Sequence, residues 1–91
     1  MALDNIAVNV TTASTEVLAA NAGRAYALLI NDSDTVVYLA IGEAAVANSG
    51  IRLTATGGSF EMSRAFNNLS GVAVYGIHGG SGNKVICGIE A

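Results

Sequence analysis

The chain has no proline and no tryptophan, a single cysteine, a single histidine, and only four basic residues among 91. Each scarcity removes a class of function. With Cys87 alone, no disulfide and no cysteine-based metal cluster can form within one chain. Cys87 lies in an apolar strand pattern and is expected to be a small buried hydrophobe, not a catalytic thiol. His78 alone cannot build a two-histidine metal site or a proton relay. Beside Gly79 and Gly80 it is expected to be a solvated turn residue. Arg24, Arg52, Arg64 and Lys84 stand singly, so no basic cluster is available to neutralise several phosphates or an anionic bilayer. Nucleic acid and membrane are therefore not expected partners. No stretch approaches the roughly 20 apolar residues of a membrane span. The opening Met1-Ala2-Leu3-Asp4-Asn5 lacks the regions of a secretory signal, and synthesis in a cytoplasm is the expectation.

What is present in excess is apolar surface. Hydrophobic residues make up 52% of the chain and charged residues 12%, with a net charge of −3, whereas soluble domains average about 25% charged residues. A single domain of this length has a folded surface of roughly 4,900 Å² and hides only about 63% of what the unfolded chain exposes. Much of the excess is alanine, but Leu3, Val46, Phe66 and Leu69 fall in irregular segments and are expected outside the core. The composition predicts that part of the surface is buried against other subunits. Missing proline points the same way, since proline is one of the devices that blunt exposed sheet edges.

The periodicity is that of short strands separated by turn residues. Ile6, Val8 and Val10 alternate with small polar neighbours, and Thr15 to Ala19 forms a second strand. Tyr26 to Ile30 is a nearly continuous apolar run, as expected of a central strand covered on both faces. Asn31-Asp32-Ser33-Asp34 is a turn, and Thr35 to Ile41 should pair with the preceding run as a central hairpin. Glu43 to Asn48 is a helical turn or a loop. Ile51 to Thr54 and Ser59 to Ser63 form a second hairpin around Thr56-Gly57-Gly58. Val72 to Ile77 and Val85 to Glu90 form a third, closed by Gly79 to Asn83. Seven to eight short strands without a long helical pattern predict an all-β fold: a single small antiparallel β-sandwich, jelly-roll or immunoglobulin-like. Residues 1–12 form an N-terminal strand or arm and residues 13–91 the sandwich.

Catalytic and ligand-binding patterns are scarce. Asn31 to Asp34 superficially resembles the start of a calcium loop, but the sixth-position glycine and the twelfth-position glutamate are absent. Gly79 to Lys84 runs into a strand where a phosphate loop requires a helix. No G-x-S-x-G elbow exists, and the lone histidine has no supporting carboxylate pattern with which to form a catalytic triad. The matches Asn9-Val10-Thr11, Asn31-Asp32-Ser33 and Asn68-Leu69-Ser70 to the glycosylation pattern carry no weight without secretion. No metal, no cofactor and no enzymatic activity are expected.

Val17-Leu18-Ala19-Ala20-Asn21, Arg24, Leu28 to Ser33, Val37-Tyr38-Leu39 and Gly42 together resemble small virion proteins of tailed bacteriophages. Gly50-Ile51-Arg52-Leu53, Gly57-Gly58-Ser59 and Val74-Tyr75-Gly76-Ile77 continue the likeness, which spans Thr11 to Glu90. These motifs are strand and turn chemistry and speak more for fold than for role. The resemblance implies a capsid decoration, or cement, protein on the virion surface. It would bind the major capsid protein across subunit seams and itself as a homotrimer, with no catalytic residue to carry over. The expected contacts are Leu3, Ile6, Val8 and Val10, by strand addition from the N-terminal segment, and Phe66 and Leu69 as a second surface. A tail, neck or fibre component is the second reading. A carbohydrate-binding sandwich is the third, set lower because Tyr26, Tyr38 and Tyr75 fall in strands that look like core and no tryptophan exists.

Overall fold

The structure, a computed structural model, describes residues 3–91. Met1 and Ala2 of the N-terminal segment lie outside the described residues. Eight strands are present: β1 (Asp4–Val10), β2 (Thr15–Leu18), β3 (Tyr26–Asn31), β4 (Val37–Ile41), β5 (Ile51–Leu53), β6 (Ser59–Ser63), β7 (Val74–His78) and β8 (Lys84–Glu90). They form two four-stranded antiparallel sheets, β1-β8-β3-β6 (sheet A) and β2-β7-β4-β5 (sheet B). This order, with the chain passing back and forth between sheets, is the double Greek key of a jelly roll.

The strand positions agree with the alternation of the sequence, but the pairings do not. β3 and β4 are not a hairpin: β3 pairs with β6 and β8, and β4 with β5 and β7. β5 and β6, and likewise β7 and β8, lie in opposite sheets. The reason is that each run carries its own inward apolar face. Ala27 and Leu29 of β3 and Val37 and Leu39 of β4 all point into the core, so the runs stack face to face. Alternation specifies which side chains turn inward and leaves the neighbouring strand open. The core is closed by Val10, Val17, Leu18, Leu53, Met62, Val74 and Ile86. Within it, Gly88 has φ +156° and an added Cβ would strike the Leu28 carbonyl, so only glycine lets β8 lie this close to β3.

Two buried polar side chains hold the crossing connections. Arg24 precedes β3 and has a fully buried side chain. Its Nε donates to Glu90 Oε2 at 2.7 Å, Nη1 to the carbonyls of Ser70 (2.7 Å) and Val72 (2.9 Å), and Nη2 to that of Ala19 (2.8 Å). Asn31 closes the other end of β3. Its Nδ2 donates to the carbonyls of Thr35 (2.8 Å), Leu53 (3.1 Å) and Thr54 (3.2 Å), while Oδ1 accepts from Ser33 Oγ at 2.6 Å. Asn31 thus ties the β3–β4 connection to the β5–β6 connection. No buried side-chain nitrogen or oxygen among the described residues lacks a partner.

His78 is buried and is not the solvated turn residue expected. Its Nδ1 accepts from the Gly80 N–H at 3.1 Å, which leaves Nε2–H to donate to the Gly82 carbonyl at 2.7 Å. The imidazole organises the glycine-rich turn from beneath. Glu43 to Asn48 is loop, not helix.

Removing Arg24 strands a carboxylate and three carbonyls at once. Arg24→Met is expected to cost about 3–5 kcal/mol, a large share of the roughly 5–15 kcal/mol that holds a small domain folded. Arg24→Lys should restore little, because an ammonium cannot reproduce the planar fork. Urea unfolding of the two variants checks this, and a wild-type midpoint for Arg24→Lys would refute it.

Candidate binding face on sheet A

The alternation in β3 and β8 turns Ala27, Leu29 and Ile86 inward and Tyr26, Leu28, Ile30, Val85, Cys87 and Ile89 outward. The outward six form one stripe: Leu28 stands opposite Ile89 and Ile30 opposite Cys87. All six are half-buried, and the main contacts between strands among the described residues leave their outer side open. Cys87 is therefore half-exposed on a sheet face, not buried in the core as expected. The stripe has small polar borders, Asn5, Ala7 and Asn9 of β1 on one side and Ser59, Glu61 and Ser63 of β6 on the other. An apolar centre inside a polar rim is the anatomy of a protein interface.

Sheet B is treated differently. Its outward residues include Tyr38 and Tyr75, but the β4–β5 loop folds back over this side. Tyr38 Oη donates to Asn48 Oδ1 at 3.0 Å, the Ala45 N–H donates to Ser14 Oγ at 2.8 Å, and Ala45 is buried. All three tyrosines thus face outward, contrary to the expectation of core positions. They are divided between opposite faces and make no shared aromatic platform.

The contacts expected from the sequence are scattered. Val10 is in the core, and Leu69 and Ile6 are partly buried and packed against it; Val8 is half-buried. Only Leu3 (65% exposed) and Phe66 (60%) stand out from the surface. Leu3 precedes β1 and Phe66 follows β6, the two opposite edges of sheet A, so three strand spacings, about 14 Å, separate them. The structure does not bring them into one patch. Val10 and Leu69 pack within the chain instead, because the alternation of β1 carries Val10 inward and the β6–β7 loop folds Leu69 back onto the sandwich. The face that sequence reasoning missed had one signal: β3 and β8 are apolar at outward as well as inward positions.

Elsewhere the surface holds little. Asp32, Ser33, Asp34, Thr56 and Gly57 line an open depression of about 400 Å³. Asn31, which would open a calcium loop there, spends its side chain on carbonyls and Ser33. Asp34 is paired with Lys84 at 2.8 Å, which together with Thr35 lowers its carboxyl below the ordinary aspartate value. No group of three metal-ligating side chains occurs among the described residues, and no helix is long and apolar enough to cross a membrane. No protein-family model matches the chain, and neither does any curated protein sequence or solved structure.

At the rim of the stripe the Tyr26 phenol donates to Glu61 Oε2, and this carboxylate, helped by desolvation, raises the phenol above its ordinary value of 10.0. A raised folded value means that the contribution to stability is complete below pH 10 and is lost as pH rises through the folded value. Ultraviolet titration should therefore show a phenol ionising late, and Glu61→Gln should bring it down; an unmoved titration would break the assignment.

Proposed function

We propose that this chain is a structural protein of a tailed-bacteriophage particle that coats the capsid by seating the outer face of sheet A on capsid subunits. The observation that carries it is the uncovered apolar stripe of β3 and β8 inside its polar rim. The phage assignment rests on the sequence resemblance, and the face supplies a means of attachment for such a role. A cement protein contributes buried area that exists only in the assembled shell, and so stabilises the shell by mass action. It needs a firm sandwich and a sticky face, and no catalytic group.

Two measurements test this. Quantitative mass spectrometry of purified particles should give hundreds of copies, near parity with the major capsid protein. A count between a handful and a few dozen would move the protein to the tail, neck or fibre, and absence from clean particles would end the virion reading. In the second, Leu28→Ser combined with Ile89→Ser should lower occupancy on particles at least about tenfold, since truncated interface anchors cost roughly 1 kcal/mol or more each. Because both side chains are outside the core, cooperative unfolding should persist. Full occupancy by the double variant would rule out this face.

A further inference from the structure

The four edge strands differ in how their outward backbone groups are handled. β5 has three residues, and β2 has four with a register shift between Glu16 and Leu18. The edge of β6 is capped: Asn68 Oδ1 accepts from the Ser63 N–H at 2.9 Å, and Asn68 Nδ2 donates to the Glu61 carbonyl at 2.9 Å. These are established ways of preventing strand addition. β1 alone has none of them. It runs seven residues in unbroken register with β8 and has no lysine, proline or bulge.

The groups that β1 leaves open follow from β8. The Val85 carbonyl accepts from the Asp32 N–H at 3.1 Å, and Ala91 exchanges bonds with Tyr26 at 2.9 and 3.1 Å. Odd-numbered residues at both ends of β8 thus direct their backbone toward β3, and the even-numbered ones toward β1. Opposite the latter stand Asp4, Ile6, Val8 and Val10. Asn5, Ala7 and Asn9 therefore present their N–H and C=O groups to the free edge.

We propose that this edge is completed by β1 of a second copy of the chain, antiparallel, about a two-fold axis at Ala7. The sequence Asn5-Ile6-Ala7-Val8-Asn9 is self-complementary about its centre. Pairing it with itself sets Ala7 against Ala7, Asn5 against Asn9, and Ile6 against Val8. Every outward backbone group of these residues then finds a partner, amides stand across from amides on one face, and β-branched side chains meet on the other. The one charge in the strand, Asp4, falls opposite Val10, so no like charges oppose. A slip by one residue would turn Ile6 and Val8 to the wrong face. The pairing is isologous and closes at two copies, in place of the three that the resemblance implies.

The inference does not depend on the capsid reading, although it enlarges the face that reading uses. Four strands of up to seven residues present about 450 Å² in projection. Joining two copies of sheet A into eight continuous strands doubles this, toward the roughly 800 Å² per partner of a standard interface.

Sedimentation of the full chain at high micromolar concentration should give twice its mass of 9.1 kDa. Ala7→Pro removes a donor that faces the edge and none that bonds β8, so it should sediment as a monomer with an unchanged circular dichroism spectrum. Cysteine placement tests the register. In a Cys87→Ala background, needed because Cys87 neighbours Ala7, oxidised Ala7→Cys should cross-link to a dimer, since facing residues of a hydrogen-bonded pair lie about 5.5 Å apart. Asn5→Cys in the same background should not, as it faces Asn9. A monomeric or trimeric wild type, an Ala7→Pro variant of unchanged mass, or equal cross-linking at both positions would overturn the proposal. Should Ala7→Pro unfold, the cysteine pair decides alone.

Discussion

The buried guanidinium of Arg24 is the constraint around which the sandwich is organised. Its four hydrogen bonds reach the end of β2, the β6–β7 connection and the end of β8. These segments come from both sheets, and the backbone ladders do not tie the end of β8 to the other two. A small domain with a modest core has little apolar burial to spend on fixing its connections. A side chain with five donors in a rigid plane does this where a hydrophobic contact could not, because each connection ends in carbonyls that need partners. Asn31 does the corresponding work at the far end of β3, so that this strand is anchored at both ends by polar groups and along its length by Ala27 and Leu29.

The strands were legible in the sequence because alternation of β-branched residues reports directly on which side chains turn inward. That signal is local and says nothing of which strand lies alongside. Adjacency in sequence is not adjacency in a sheet for β3 and β4, β5 and β6, or β7 and β8, each pair of which is split between the two sheets. In the sequence Arg24 is one of four scattered cations; its role depends on carbonyls of Ala19, Ser70 and Val72 and on the carboxylate of Glu90, brought together only by the fold. His78 looked solvated because it borders glycines, yet those glycines supply the backbone groups that satisfy its ring.

The binding face illustrates a deeper ambiguity. An unbroken apolar run such as Tyr26 to Ile30 arises when a strand is covered on both sides by its own chain, and equally when one side is kept for another molecule. Composition counts both alike. Only the arrangement of the remaining elements separates them, and here the β4–β5 loop covers the back of sheet B while the main strand contacts among the described residues leave that of sheet A open. Phe66 and Leu3 are isolated large side chains in irregular segments. The residues that make a continuous surface were hidden within regular strands.

The place of β8 has a consequence for biosynthesis. The last strand of the chain lies in the middle of sheet A, between β1 and β3. Until Lys84 to Glu90 have left the ribosome, β1 has no partner in its own chain and Arg24 has no carboxylate. Of the connections between successive strands, only that from β4 to β5 stays within one sheet, so few local hairpins are available to form early. Topologies dominated by distant pairings fold slowly. The inner half of sheet A thus closes only once β8 is available to enter between β1 and β3.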